Sequence, residues 1–203
     1  RSGRWIEAKR DRFRLMALLG VSGIDLYDVS KWKGEAAWVE ENVGVLAWLR
    51  SRKTTRLLGV PEAVSFGAER AYVESALEED YMRSYATMVP QLLTLPRGAL
   101  FYQGQYDMYD GPLEAEAWLD QLQWPGQRAF AAAERVTLSR PVASREGDAR
   151  NAPYGWMKSA GGLVWVVLAH ASHMVPADQP EAALDMIERW IGGGPLAGGL
   201  KVA

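Results

Sequence analysis

One histidine and one aspartate occupy positions where an α/β fold keeps its reactive side chains. His173 follows Val164–Leu168, a short apolar run that is β-branched, as a buried strand should be. Asp107 follows a second short apolar run, Ala99–Gln103. Because open α/β sheets bind ligands beyond the carboxyl ends of their strands, both side chains are candidates for chemistry. The alternative interpretations are a solvated loop histidine and an aspartate that only forms a turn.

A histidine paired with a carboxylate is suited to nucleophilic acyl transfer. A serine hydroxyl is a weak nucleophile unless a histidine takes its proton, and the carboxylate orients that histidine and stabilises its imidazolium. The chain contains no G-x-S-x-G motif for such a serine. Ser22 comes nearest, but Ile24 replaces the second glycine and a predicted helix, not a strand, precedes it. Ser159 and Ser172 are no better placed.

Two patterns resemble the serine carboxypeptidases, a family with the α/β-hydrolase fold. The segment from His173 reads HMVPADQP, and the family pattern is G-A-G-H-M-V-P-x-D-Q-P. Phe101–Asp107, FYQGQYD, resembles the family's Y-x-G-x-x-D, in which the aspartate orients the catalytic histidine. The chain departs from the family at His170 and Ser172, where glycine is usual, and at Met108–Asp110, where cysteine and asparagine are common. Relatives of the vitellogenic type also lack that cysteine.

The resemblance implies a serine-type carboxypeptidase in which Asp107 and His173 are the last two members of a triad ordered Ser, Asp, His. It also implies that Met174 contacts the substrate, and it implies neither a cofactor nor a metal. In the family, the nucleophile and the oxyanion hole lie before the part that this chain resembles, which is about the carboxyl-terminal half. The expected partners are therefore a peptide substrate and an amino-terminal half, from the same precursor or as a second chain.

Three other functions remain open from the sequence. Plant relatives of the same fold are acyltransferases that use the same triad on an acyl-glucose ester. A non-catalytic, carboxypeptidase-like subunit of a larger assembly would explain the lack of a nucleophile motif. A metal site could be drawn from His170, His173 and Asp178, but their spacing matches no standard helical pair and cysteine is absent.

Composition restricts the partners and gives two opposed indications of location. The 203 residues carry a net charge of −2, which implies no nucleic acid or other polyanion as a partner. No apolar run approaches the roughly 18 residues of a membrane span. The lack of cysteine favours a reducing compartment, whereas the resemblance implies the secretory pathway, a vacuole or lysosome, or the extracellular space. The basic, polar first residues look more like a cut end than a natural start.

The expected architecture is α/β: the carboxyl-terminal part of an α/β-hydrolase fold, with its last strands and helices, preceded by helical cap-region segments. The cap region should cover residues 1–65 and the core part residues 66–203. Residues 136–153 are predicted to be an exposed loop, and Ile24–Trp32 an extended segment. Predicted strands are Ala99–Gln103, Tyr154–Ser159 and Leu163–Leu168.

Helices are predicted from apolar spacing and from their end signals. Asp110 should cap one helix, and Asp178 with Glu181 should form a capping box for the last one. The predicted helices are Trp5–Leu19, Glu35–Arg52, Ala68–Leu93 with a break near Pro90, Leu113–Leu122, Gly126–Arg135, and a final helix ended by Gly192–Gly194.

Overall fold

A computed structural model describes residues 4–32, 38–61, 63–64, 70–143 and 149–193. The chain forms two compact units. Unit 1 contains Arg1–Asp25 and Lys31–Arg83, and unit 2 contains Leu26–Ser30 and Ser84–Ala203. The division into a cap region and a core part at residue 65 concerns the family's architecture and stays a prediction.

The described part of unit 1 is mainly helical. Its helices are α1 (Trp5–Gly20), α2 (Trp38–Leu49), α3 (Arg52–Leu57) and α4 (Arg70–Ala76). The prediction for α1 is confirmed, and none of the residues of this helix is buried. The predicted starts at Glu35 and Ala68 lie outside the described residues.

Two predictions for the first third of the chain are wrong. Thr54–Leu58, which the sequence predicts to follow the second helix and close on Gly59–Pro61, is instead mostly part of α3, because the Ser51 hydroxyl accepts the amide hydrogen of Thr54 and caps a new helix. Ile24–Trp32 is not extended. Its ends meet in one antiparallel bridge, and the positive φ of Gly23, 83°, turns the chain just before it.

The predicted helix up to Leu93 ends early, because α4 stops at Ala76 and turns follow it. A 3-10 turn, Ala86–Met88, and α5, Val89–Leu92, begin unit 2. Pro90 lies in the first turn of α5, where its missing amide hydrogen breaks no helical bond, so it does not act as the predicted helix break.

In the described part of unit 2, the strands β1 (Ala99–Gly104), β2 (Val136–Ala143), β3 (Ala149–Ala160) and β4 (Leu163–Leu168) form a four-stranded sheet with the order β1-β4-β3-β2. β1 (Ala99–Gly104) runs parallel to β4 (Leu163–Leu168), and the other pairs are antiparallel. The predicted strands Tyr154–Ser159 and Leu163–Leu168 form the antiparallel hairpin of β3 with β4, with its turn at Gly161 and Gly162. Since Asp107 follows β1 and His173 follows β4, the parallel pair carries both candidates to one edge of the sheet.

The predicted loop at residues 136–153 is wrong. It contains β2 (Val136–Ala143) and the first part of β3 (Ala149–Ala160), which pair antiparallel with an irregularity at Leu138/Ser139. A hairpin at the side of a sheet keeps polar side chains facing solvent, so its strands lack the continuous apolar run that marks β4. Pro141 is tolerated there because β2 is the outer strand among the described residues.

Both faces of β4 are buried, as its apolar sequence predicts, and its residues alternate between two cores. On one face, Val164, Val166 and Leu168 pack with residues of α9 (Pro180–Gly192) such as Met186. The opposite face, which includes Trp165, packs with Leu119 of α6 (Pro112–Asp120) and Phe130 of α7 (Gln127–Ala132). The sheet is therefore covered on both sides next to the candidate loops.

Both side-chain caps predicted for this unit are wrong. The N-cap residue of α6 is Gly111, and Asp110 lies outside the helix with no capping bond. Asp178 belongs to a short helix, α8 (Val175–Asp178), and accepts the amide hydrogen of Ser172 instead of capping α9. Pro112 and Pro180 are the first helical residues of α6 and α9, where a missing amide hydrogen breaks no helical bond. Gly193, with φ of 69°, ends α9 as predicted.

Within the described ranges, no helix has the length and apolar character needed to cross a membrane.

Candidate active site

The loop after β1 and the loop after β4 lie against each other. The Tyr106 amide donates to the Ala171 carbonyl over 2.8 Å, and the Gln105 amide donates to the Leu168 carbonyl over 2.9 Å. Gly104 makes this approach possible, because a Cβ atom there would collide with the backbone of Ala171 and Ser172. The two loops therefore form one structure at the carboxyl end of the parallel pair.

Asp107 and His173 meet in this structure, 66 positions apart in the sequence. Nδ1 of His173 lies 2.8 Å from Oδ2 of Asp107. The aspartate side chain is almost fully buried, whereas the histidine side chain is 33% exposed. A carboxylate that holds Nδ1 in this way leaves Nε2 to exchange a proton with a third group. The geometry is that of a base with its orienting carboxylate.

The second oxygen of Asp107 stabilises the turn in which the residue lies. Oδ1 accepts the amide hydrogens of Tyr109, over 2.8 Å, and of Asp110, over 3.0 Å. The turn-forming role and the pairing with His173 are thus not alternatives, because each uses a different oxygen. Asp110 contributes its backbone amide to this arrangement, and its side chain is exposed.

Sequence reasoning missed the segment Leu26–Ser30, which lies across both loops. The His173 amide donates to the Tyr27 carbonyl over 2.8 Å, and the Met108 amide donates to the Leu26 carbonyl over 3.0 Å. In the opposite direction, the Val29 amide donates to the Tyr106 carbonyl over 2.9 Å. No local pattern in the sequence signals these contacts, because all three join residues that are far apart in the chain.

Two tyrosine rings contact the imidazole of the dyad. The Tyr27 ring stacks on Tyr109 with centroids 4.9 Å apart, and it lies 5.0 Å from the imidazole of His173 at a tilt of 55°. The edge contact between Tyr109 and His173 measures 5.9 Å. The imidazole is therefore in contact with two tyrosine rings as well as with its carboxylate.

A cleft of about 300 Å³ opens beside the dyad. It is lined by Asp107 and His173, and also by Glu114 and Trp118 of α6 and Gln103 of β1. Trp118 packs edge-on against Phe101, with ring centroids 5.2 Å apart, so the wall on that side is rigid. The cleft gives a further group access to the histidine.

His170 adopts a backbone conformation that glycine usually occupies. Its φ is 56°, at a position where the family pattern has glycine. Its amide donates to the Gln105 side chain, its carbonyl accepts from Gln179, and its Nδ1 lies 3.0 Å from the Tyr106 hydroxyl. The chain thus follows a glycine-like path to His173 even though the glycine is missing.

The remaining candidates have other surroundings. The Ser22 hydroxyl donates to the carbonyl of Leu19 at the end of α1. Met174 is 51% exposed and directly follows the candidate base. The proposed metal set is divided, since His170 bonds Tyr106, His173 bonds Asp107 and Asp178 bonds the Ser172 amide. Nowhere in the described ranges do three or more potential metal ligands come together.

Comparison with known proteins supports one family. A family model described as serine carboxypeptidase matches residues 17–193. Similar proteins include "Carboxypeptidase Y homolog A" of Neurospora crassa, 32% identical over 85% of this chain and 30% of that protein. "Serine carboxypeptidase-like 50" of Arabidopsis thaliana is also 32% identical, over all of this chain and 43% of that protein. The chain therefore spans well under half the length of these relatives.

A solved structure shows the same fold. The prohormone-processing carboxypeptidase Kex1Δp of Saccharomyces cerevisiae aligns with a TM-score of 0.62 and 17% identity, over 83% of this chain and 36% of that one. At this identity the likeness concerns the fold alone. The mixed α/β architecture is that of part of an α/β-hydrolase, as the sequence predicts.

Proposed function

Because this chain belongs to the serine carboxypeptidase family, we propose that it is the portion of a carboxyl-terminal exopeptidase that supplies the general base and its orienting carboxylate. The observation that carries the proposal is the 2.8 Å contact between Nδ1 of His173 and Oδ2 of Asp107. Burial of the carboxylate and partial exposure of the imidazole support these two roles.

The reaction would follow the acyl-transfer sequence of a triad. A serine Oγ attacks the carbonyl of the last peptide bond, and its proton passes to Nε2 of His173. The imidazolium, stabilised by Asp107, then gives that proton to the departing amino acid. Water attacks the acyl-enzyme next and loses its proton to His173, which returns a proton to the serine Oγ as the shortened peptide leaves.

We propose that the nucleophile comes from a segment outside these 203 residues, either earlier in the same precursor or in a second chain. No serine within the chain has a suitable motif. Among the described residues, β1 pairs with β4 alone, so its other side can accept a further strand. The cleft beside the dyad lies next to β1, where such a segment could bring its serine within about 3 Å of His173.

Met174 is our candidate for a substrate contact. It follows the base directly, and half of its surface is exposed. A flexible thioether adapts to apolar side chains of different shapes, which suits an enzyme that accepts several terminal residues. The family resemblance also leads us to propose a location in the secretory pathway or a vacuole.

The two histidines of the chain allow a matched test of the proposed function. In the complete protein, His173→Ala should lower turnover of a blocked dipeptide by about 10⁴-fold or more, since loss of a triad base has costs of this order. His170→Asn, which removes the other imidazole with a residue that tolerates positive φ, should change turnover only a few-fold.

Turnover within a few-fold of wild type in His173→Ala would overturn the assignment. A complete protein that binds the dipeptide but never cleaves it would instead match the non-catalytic interaction subunit. Transfer of the acyl group to an alcohol in preference to water would match the acyltransferase.

A further inference from the structure

The segment Leu26–Ser30, which we call the tyrosine segment, is placed to control the position of the candidate base. It bonds to the loop after β1 through Tyr106 and Met108, and to the loop after β4 at the amide of His173 itself. These are backbone bonds and do not depend on the side chain of Tyr27. They fix the segment in place and so determine where the Tyr27 ring lies.

The Tyr27 ring restrains the part of His173 that its carboxylate leaves mobile. One contact with Asp107 fixes Nδ1, but the imidazole could still swing about that contact. The tilted Tyr27 ring at 5.0 Å and the edge-on Tyr109 ring at 5.9 Å occupy space into which it would move. Because Tyr27 and Tyr109 also stack on each other, each ring supports the other.

These tyrosines are not core residues. Neither of the two buried clusters in the described part of unit 2 includes Tyr27 or Tyr109. Tyr27 is 39% exposed, far more than the residues that hold the sheet together. A partly exposed aromatic pair contributes less burial than a core pair, and this pair contacts His173 through both rings.

We infer that Tyr27 is a positioning residue, whose ring holds the imidazole of His173 so that Nε2 faces the attacking hydroxyl. This inference rests on the proposed function, since it assigns Tyr27 a role only through His173. In this role Tyr27 acts on catalysis through the position of His173. Its loss should therefore affect the chemical step and not affinity.

Kinetics of the complete protein with a blocked dipeptide test the inference. Tyr27→Leu should lower kcat about 10- to 100-fold with KM within about threefold, because displacement of a catalytic group by about 1 Å costs on this scale. Tyr27→Phe keeps the ring and should stay within about threefold of wild type. The matched control is Tyr72→Leu, which removes a tyrosine that is 73% exposed in unit 1 and should change neither constant.

A chemical measurement tests the same contact without turnover. Diethyl pyrocarbonate modifies neutral imidazoles, and tandem mass spectrometry can compare His173 with His170 in one peptide. Because the chain has only these two histidines, His170 is an internal reference. Tyr27→Leu should raise the modification rate of His173 relative to His170 at least threefold, and Tyr27→Phe should leave the ratio unchanged.

The outcomes separate the inference from the proposed function. If His173→Ala is inactive but Tyr27→Leu has wild-type kcat and an unchanged modification ratio, only the inference is overturned. Equal losses in Tyr27→Leu and Tyr27→Phe would also overturn it, since the ring would then not be the cause. If His173→Ala is active, the proposed function fails first.

If the Tyr27→Leu protein does not fold, the variant Tyr109→Leu provides the test. That variant removes the supporting ring and leaves the bonds of the tyrosine segment intact. It should lower kcat about 3- to 30-fold and raise the modification ratio of His173. Unchanged values for both would overturn the inference.

Discussion

Unit 1 and unit 2 differ in where their apolar side chains lie. Every hydrophobic residue that is buried in the described part of the chain belongs to unit 2. In unit 1, large apolar side chains such as Leu18 and Leu57 are more than 70% exposed. The candidate dyad is therefore attached to the part of the molecule with its own packed core, where positions are held most firmly.

The largest effect should come from a change in unit 2 that leaves its core intact. Asp107→Asn should lower turnover of the complete protein about 10⁴-fold, because an amide cannot hold His173 in the tautomer that accepts the proton. Asp110→Asn should stay within a few-fold, since the contact of Asp110 with Asp107 is made by its backbone amide. Steady-state kinetics and thermal melts of both variants measure these effects. A larger loss of turnover in Asp110→Asn than in Asp107→Asn would show that the two aspartates have exchanged roles.

Truncation of one apolar side chain in each unit tests directly whether the two units differ in packing. Phe130 of α7 is fully buried against the sheet, so Phe130→Ala should reduce the free energy of unfolding by about 3–5 kcal/mol. Leu18→Ala should change it by less than about 0.5 kcal/mol, because Leu18 is 72% exposed. Denaturant unfolding provides both values, and similar losses would remove the distinction.

An ionisable group inside the core of unit 2 should make stability depend on alkaline pH. Burial, followed by the nearby carboxylate of Asp185, raises the pKa of Tyr154 above its usual value of 10.0. The unfolded chain therefore loses this proton first, so the stabilisation is complete below pH 10 and declines above it by roughly 1 kcal/mol per pH unit. Urea unfolding should show a shallower alkaline loss in Tyr154→Phe.

The matched change in unit 1 is Tyr72→Phe. Tyr72 is 73% exposed, so the same chemical change should leave the alkaline dependence as it is in the wild type. A Tyr154→Phe protein with the wild-type slope would show that the buried hydroxyl contributes nothing to it.

Ion pairs should give the smallest difference between the units. In unit 2, Arg135 contacts both oxygens of Glu116 at 2.8 Å, and its guanidinium lies 4.2 Å from the Trp156 ring centroid. Arg135→Met should cost about 0.5–1 kcal/mol of stability. Arg4 in unit 1 pairs with Glu7 in full exposure to solvent, so Arg4→Met should have no measurable effect in thermal melts at ordinary salt.

The elements that were predicted correctly are those with a clear local pattern in the sequence. The run Leu163–Leu168 is apolar throughout and became the central strand, with both faces buried. The proximity of Asp107 and His173 was predictable because both follow strands that end at the same edge of the sheet. Their roles in catalysis stay a prediction.

What the sequence did not reveal depends on partners far away in the chain. The hairpin of β2 and β3 was missed because its polar and proline residues, such as Arg140 and Pro141, resemble those of a loop. Aspartate often caps helices, so Asp110 and Asp178 were plausible caps. The N-cap of α6 is the neighbouring Gly111 instead, and Asp178 lies within the short helix α8. No sequence motif marked Tyr27 as part of the site, because its proposed role depends on its contact with His173.

The parallel pairing of β1 with β4 also has a consequence for folding kinetics. The hairpin of β3 and β4 joins neighbours in sequence through a two-glycine turn, so its contacts are local and can form early. β1 pairs with β4 only after the intervening chain has been ordered. The tyrosine segment is separated from the loop after β4 by an even longer stretch of sequence. We therefore expect the hairpin to form before the dyad, so that His173 gains its carboxylate and its tyrosine contacts among the last events of folding.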